Sequence, residues 1–259
     1  MGRRRRVNSV SSINRRHAEG RGQGSLDTYK PAIYTYEIPS RGKVARVWGH
    51  TAKRVHHVLS QLEKLYLISL DHDPDVSDIR EQKPLRLEDT LLIAAENNIR
   101  HPYANQCPAE MTTDFYYCRN GVWHAVAIKE SAELENRRVR EKLKIEEIYW
   151  ARKNVPWRIV TEKDIPLDKV NNLKWLHSGE SVTDILPDRS FLNDLTEAFC
   201  SVYQNPQISF SDIVNTIEAY CKLPQGAVIQ LFKHLVLTGR IRLNLSEPIN
   251  ISDPRIKMY

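Results

Sequence analysis

The chain of 259 residues holds only four cysteines, Cys107, Cys118, Cys200 and Cys221, all far apart. No C-x2-C pair occurs, which excludes a zinc ribbon of that type and argues against a disulfide framework. Free thiols of this kind suit a reducing compartment, so a cytoplasmic location is expected. Long apolar runs are also missing. The longest, Leu91–Ala95, has five residues, whereas a membrane-spanning helix needs about 20. Arginines near the N-terminus are followed by no apolar stretch, so they do not read as a secretory signal. Neither G-x4-G-K-[ST] nor G-x-S-x-G is present, which excludes a P-loop nucleotide site and the nucleophile elbow of an α/β-hydrolase.

What is there begins with charge. The 38 Lys+Arg and 32 Asp+Glu give a net +6. Residues 1–24 hold seven arginines (Arg3, Arg4, Arg5, Arg6, Arg15, Arg16 and Arg21) against the single acid Glu19, and residues 25–259 balance 31 bases with 31 acids. The chain therefore reads as a neutral body behind a basic, flexible arm over 1–24. With 41% hydrophobic residues the body can build cores, and its length fits one large or two smaller domains.

Period and punctuation give the elements. Residues 32–50 alternate weakly around Pro39-Ser40-Arg41-Gly42, which predicts two short strands. Val55, Val58, Leu59, Leu62, Leu65 and Tyr66 fall at helical spacing, predicting a helix from an N-cap at Thr51 to about Ser69. Val76–Gln82 reads as a strand stopped by Pro84, and Asp89–Ile99 fits strand or helix. Met111–Cys118 and Val122–Lys129 flank Asn120-Gly121, the dipeptide that a type I′ hairpin turn requires. Ser131 to about Asn154 is a long helix, followed by a strand at Trp157–Thr161, so a crossover helix joins strands of one α/β sheet. Beyond Gly179 and Pro187 come three helices, about Phe191–Tyr203, Ser211–Cys221 and Gln225–Leu237. An alternating strand, Gly239–Leu245, closes the chain and gives the element order of a winged-helix module.

Strand parity points to a site. Thr112, Asp114 and Tyr116 share one face of the hairpin's first strand, and Ala125, Ala127 and Lys129 one face of its second. Asp114 and Lys129 therefore converge at one sheet end if those faces coincide, and Glu63 on the preceding helix supplies a second carboxylate. Two carboxylates hold Mg²⁺ through hard oxygens, and the ion offsets charge developing at a scissile phosphate. A lysine beside them stabilises the pentavalent transition state. Spacing alone is weak support, because Asp and Lys fifteen residues apart are common in any protein.

Several longer motifs are more specific. They are Glu19-Gly20-Arg21-Gly22-Gln23-Gly24, Arg54 through Glu63, Asp78-Ile79-Arg80-Glu81-Gln82, Met111-Thr112-Thr113-Asp114-Phe115, Glu141-Lys142-Leu143 with Tyr149-Trp150, and Asn172-Leu173-Lys174-Trp175-Leu176. Together they resemble the TnsA family, the endonuclease subunits of heteromeric bacterial transposases, over about residues 15–178 and more loosely beyond. The resemblance implies a restriction-endonuclease-like domain over 25–178 and a winged-helix-like, partner-binding domain over 179–259. It implies Mg²⁺-dependent hydrolysis (Mn²⁺ as a possible substitute) of the 5′ strand at transposon ends. A DDE-class transposase (TnsB-like) would act on the 3′ strand, and an AAA+ regulator (TnsC-like) would bind the C-terminal domain. The family's metal-binding Glu and Asp fall on Glu63 and Asp114, and its Lys on Lys129. One position departs. Ala127 stands where the family often carries Gln or an acid, which leaves the main-chain carbonyl of Ile128 as the further ligand.

Other readings stay open beside this one. Ala127 also suits a cleavage-impaired assembly factor that bridges transposase, regulator and DNA ends, and a stand-alone nuclease is a third alternative. Adjacent His56 and His57 do not face one site on a helix, which favours a surface or DNA-backbone role. Gln82 suits a structural or a cleft-lining part equally. The Gly20–Gly24 run reads as a hinge before a phosphate cradle, and Arg3–Arg6 as a solvated tail or a phosphate contact. In the C-terminal domain Lys233, Arg240 and Arg242 are the basic residues to consider for partner or DNA contact.

Overall fold

The computed structural model describes residues 10–38, 44–104, 106–179, 181–205 and 207–251. The chain divides into two compact units, Met1–Ile165 and Pro166–Tyr259. That division lies ahead of the expected boundary at 178/179.

In the first unit, a four-stranded sheet carries the order β3 (Val76–Pro84), β6 (Thr112–Arg119), β7 (Val122–Ile128), β8 (Trp157–Val160). Asn120 and Gly121 turn the hairpin between β6 and β7 with φ of +50° and +77°, the left-handed values that a type I′ turn demands. The β7–β8 pair is parallel, joined by helix α4 (Arg137–Ala151), as the crossover reading predicts. A short 3-10 turn at Ser131–Glu135 precedes α4, so the expected long helix starts six residues late. Asn136 caps it by accepting the Arg138 N–H at 2.8 Å.

Helix α2 (Gln61–Asp71) packs on the face of Phe115 and Tyr117, with Tyr66 5.8 Å from the Phe115 ring. The opposite face takes α4, whose Trp150 stacks on Tyr116 at 4.9 Å. Helix α3 (Leu87–Glu96) joins that side through Ile93 and Ala94, buried in one core with Ala125, Ile145 and Tyr149. The unit also carries α1 (Val10–Ala18), the hairpin β1 (Ala45–Gly49) and β2 (Arg54–Val58), and the small ribbon β4 (Tyr103–Ala104) and β5 (Cys107–Pro108).

Three local expectations are corrected here. Residues 54–58 form β2 rather than helix, with Arg54, His56 and Val58 buried at period two. Ser60, not Thr51, caps α2, accepting the Glu63 N–H at 3.1 Å. Thr51 instead binds the far end of that helix, its N–H and hydroxyl going to Asp71. Thr35–Glu37 is a 3-10 turn rather than a strand, closed by the Glu37 carboxylate accepting the Tyr34 N–H at 3.0 Å. Over its described part the arm packs against the body. Arg16 is 2% exposed and sits 3.5 Å from Glu110, while the buried Arg21 reaches Glu37 at 2.5 Å and Glu19 at 2.7 Å. The Gly20–Gly24 run folds back onto the sheet, and a side chain at Gly22 would collide with Pro84. Residues 1–9, with Arg3–Arg6, lie outside the described residues.

The second unit is mainly helical, with α5 (Leu167–Leu176), α6 (Val182–Ile185), α7 (Arg189–Tyr203), α8 (Phe210–Tyr220) and α9 (Ala227–Leu237). Phe199, Phe210, Leu231 and Phe232 centre its core. The strand expected at Gly239–Leu245 does not form among the described residues, so the ribbon of a winged helix is absent there. Ile241 is buried in the helical core, its N–H bound to Leu235 O. Asn172 takes up main-chain groups that a ribbon would have paired, donating to Leu245 O and Glu247 O and accepting the Ile249 N–H.

Candidate active site

The end of the β6–β7 hairpin opposite its turn brings the expected residues together. Asp114 Oδ2 accepts the Ile128 N–H at 2.6 Å and the Lys129 ammonium at 3.0 Å. The same ammonium donates to the Ile128 carbonyl at 2.6 Å. Burial alone would lower the Lys129 pKa, yet the Asp114 carboxylate outweighs it and raises it, so the lysine is a fixed cation.

Glu63 stands in the first turn of α2, where the helix dipole favours a negative charge. Its Oε2 accepts the Leu59 N–H at 2.9 Å and the Gln82 amide at 3.3 Å. Burial and then the negative charge of Asp114 push its pKa up to about 8. The Asp114 charge thus acts on Glu63, which holds the two carboxylates in one neighbourhood.

Gln82, buried at the end of β3, joins the site. Its own carbonyl side-chain oxygen accepts the Thr112 hydroxyl at 3.0 Å, and its backbone has the left-handed φ of +48°. Non-glycine residues held in that region cluster at functional sites.

Sequence reasoning missed Glu146. It is buried on α4, accepting from the Thr113 hydroxyl at 2.8 Å and the Trp157 indole at 3.0 Å. Burial, followed by the charge of Asp114, pushes its pKa up to about 7. A signal was present: Glu146 interrupts the apolar positions Leu143, Tyr149 and Trp150 of a buried stripe. Asp114, Lys129 and Glu146 line a cleft of about 390 Å³ together with Thr112, Glu133 and Lys142.

The donor set fits a divalent cation. Among the described residues, Asp114 and Glu63 each use one carboxylate oxygen for protein donors, leaving Oδ1 and Oε1 without a protein donor. These, with the Ile128 carbonyl, are hard oxygen ligands of the kind Mg²⁺ takes. A cation among them would relieve the repulsion that raises Glu63. Ala127, 1% exposed in β7, adds no ligand.

Other candidates fall away from the site. His56 and Arg54 close a buried cluster on Glu81, with Arg54 donating at 2.8 and 2.6 Å and His56 Nδ1 at 2.7 Å. Burial alone would raise the Glu81 pKa, but these partners hold it far below the carboxylate range. In the second unit Lys233 is only 5% exposed and its ammonium binds Ser178 O and Oγ, so it is corrected from a surface contact to a structural residue. Arg240 pairs with Glu197 at 2.6 Å, and Arg242 is exposed.

Comparison with known proteins matches two family descriptions. Residues 73–162 match "TnsA-like endonuclease N terminal" and residues 164–245 match "TnsA endonuclease C terminal". The first span contains Asp114 and Lys129, and Glu63 precedes it. The transposon Tn7 transposition protein TnsA of Escherichia coli is 41% identical over 243 residues, covering 92% of this chain and 87% of that protein.

Proposed function

The chain belongs to the TnsA endonuclease family, and from that premise we propose that it hydrolyses the 5′ strand at each transposon end during cut-and-paste transposition. The convergence of Glu63, Asp114 and Lys129 carries this reading. The sheet with helices on both faces supports a restriction-endonuclease-like fold for the first unit. Mg²⁺, with Mn²⁺ as substitute, would be held by Glu63, Asp114 and the Ile128 carbonyl. When bound, the ion supplies charge neutralisation at the scissile phosphate and an acidified water.

The protein's own groups do the rest. Asp114 fixes the Lys129 ammonium and the Ile128 amide in one geometry, so no reorganisation is needed when charge develops on the phosphoryl oxygens. Gln82 and the Leu59 N–H orient the Glu63 carboxylate. Glu146 adds a buried carboxyl to the cleft wall beside Asp114, near neutrality in its titration. Lys142, exposed at the lip, offers a phosphate contact.

Placement at the ends falls to partners, a DDE transposase subunit of the TnsB kind and an AAA+ regulator of the TnsC kind. The second unit is the proposed regulator-binding part, and a cytoplasmic location suits DNA as substrate. With both partners, end DNA and Mg²⁺, Asp114→Ala is expected to abolish 5′-strand cleavage and leave 3′-strand cleavage intact. Persistent 5′ cleavage would overturn the assignment, and cleavage without partners would favour a stand-alone nuclease.

Ala127 favours one second reading, a cleavage-impaired assembly factor. It predicts cointegrate products in place of simple insertions, which sequencing of transposition products distinguishes.

A further inference from the structure

A second recess lies in the first unit, lined by Arg15, Glu19, Arg21, Lys30, Tyr34, Tyr36 and Glu37, with a volume of about 400 Å³. The Arg21 guanidinium lies over the Tyr34 ring at 4.6 Å, and Tyr34 stacks on Tyr36 at 5.2 Å with the planes 10° apart. His57 meets both rings edge-on, at 4.7 and 6.4 Å. The Thr35 N–H donates to His57 Nδ1, and burial lowers the pKa of this imidazole, so a neutral ring forms the wall. The ladder is thus braced at its inner end and open at its outer one, where Tyr36 is 66% exposed. This is an aromatic surface held ready at little further entropic cost.

The surroundings favour an anion-bearing planar group. Arg15, Arg21 and Lys30 exceed Glu19 and Glu37 by one charge. Glu37 is already engaged by Arg15, Arg21 and the Tyr34 N–H, and Arg21 takes Glu19 as well. Arg46 adds a further cation, paired in register with His57 across β1 and β2. Helix α1 links the recess to the catalytic cleft. Arg15 on α1 faces Glu37, while its neighbours Arg16 and His17 pair with Glu110, which lines the cleft. Consecutive residues of one helix therefore touch both.

We propose that this recess is a stacking site for an unpaired base of the end DNA, with Tyr36 as the platform and Arg15 and Lys30 on the adjoining phosphates. The inference rests on the reading of the chain as a nuclease acting at DNA ends. A nick removes the covalent restraint on the bases beside it, so they can unpair and leave the stack. A flat aromatic face recognises those and not a duplex, whose bases hide their π faces in the stack. Such contacts are independent of sequence, so they would hold the strand without choosing the site.

The test uses the full chain without metal, a fluorescent oligothymidine and a blunt duplex of equal length, read by anisotropy. Tyr36→Ala is expected to weaken oligothymidine binding about tenfold with an unchanged melting temperature, since the ring is exposed. Tyr36→Trp should restore binding, and duplex affinity should stay within about twofold of the parent. Equal oligothymidine binding by the parent and Tyr36→Ala overturns the proposal. So does a Tyr36→Ala protein that binds the oligonucleotide normally but loses the partner transposase, which would assign the recess to a protein. Asp114→Ala separates the two readings. If cleavage survives it while oligothymidine binding still depends on Tyr36, the nuclease site is wrong and the stacking site stands.

Discussion

Gln82 bridges Glu63 and Thr112, donating its amide to one carboxylate oxygen at 3.3 Å and accepting the threonine hydroxyl at 3.0 Å. The side chain thereby ties the start of α2 to the start of β6, the two elements that carry the proposed carboxylate ligands. An ionised Glu63 carboxylate only accepts, so it draws the NH₂ end of the amide and leaves the carbonyl end for the Thr112 hydroxyl.

Gln82→Leu keeps the bulk and removes both bonds. Groups that orient metal ligands cost roughly 10–100-fold in affinity when lost. Mn²⁺ binding by electron paramagnetic resonance should therefore weaken by at least about tenfold, and the Mg²⁺ concentration for half-maximal cleavage should rise in parallel. A purely structural role would lower the melting temperature and leave both metal readouts unmoved.

Glu63 makes a prediction of opposite sign for stability. Its carboxyl, pushed up to about 8 in the fold against an ordinary 4.5, binds its proton more tightly folded than unfolded. The metal-free protein should lose stability as pH rises from about 4.5 through about 8. Glu63→Gln should flatten that dependence and raise the metal-free melting temperature at pH 8 by about 3–6 °C, as roughly 1–2 kcal/mol does at this size. Cleavage should be lost. Mg²⁺ should stabilise the parent protein and not the variant, which differential scanning fluorimetry reads directly.

Glu81 is the neighbour of Gln82 with a different task. It is fully buried, with Arg54, His56 and the His57 N–H all donating to it. Removing one partner of a buried pair leaves an uncompensated charge and costs about 3–5 kcal/mol. Glu81→Ala should lower the melting temperature by about 10 °C or prevent folding. Because its folded pKa is depressed, the contribution of Glu81 is present above about pH 4.5 and is lost as pH falls below that. Acid unfolding followed by circular dichroism checks it, and a mild, pH-independent loss counts against the cluster as a folding determinant.

The two carboxamide and carboxylate neighbours show what was legible in the sequence. The Asp78–Gln82 block stands out as a motif, yet side chains of adjacent strand residues go to different places, and only the fold shows that Gln82 reaches Glu63 while Glu81 anchors β2. Asp114 and Lys129 were legible because strand parity and the Asn120-Gly121 turn fix the hairpin register. Glu63 was placed on the correct helix although the helix start was read nine residues early. Val55, Val58 and Leu59 fit a helical spacing, whereas the strand buries Arg54, His56 and Val58, two of them polar, so its period of two was hidden. Glu146 was lost in a charged helix, where burial of one glutamate depends on what packs against it. At the terminal strand tertiary contacts took the main chain instead, the Ile241 N–H going to Leu235 O and the Leu245 carbonyl to Asn172.

The basic arm yields the last prediction, and the structure changes where to cut. Residues 10–18 form α1, with Ile13 and Arg16 buried, so a truncation through residue 14 removes part of the folded unit. It should lower the melting temperature and confound any change in DNA binding. Removing residues 1–9 takes away four arginines and keeps α1 whole. Each phosphate contact contributes roughly 0.9 to the slope of log affinity against log salt on duplex DNA. If Arg3–Arg6 grip phosphates, this shorter truncation should reduce the slope by up to about 3–4 and weaken binding most at low salt. The melting temperature should hold. An unchanged slope, measured by anisotropy from low to moderate salt, would make the four arginines a solvated tail and leave Arg15, Lys30 and Lys142 as the cations that meet the backbone.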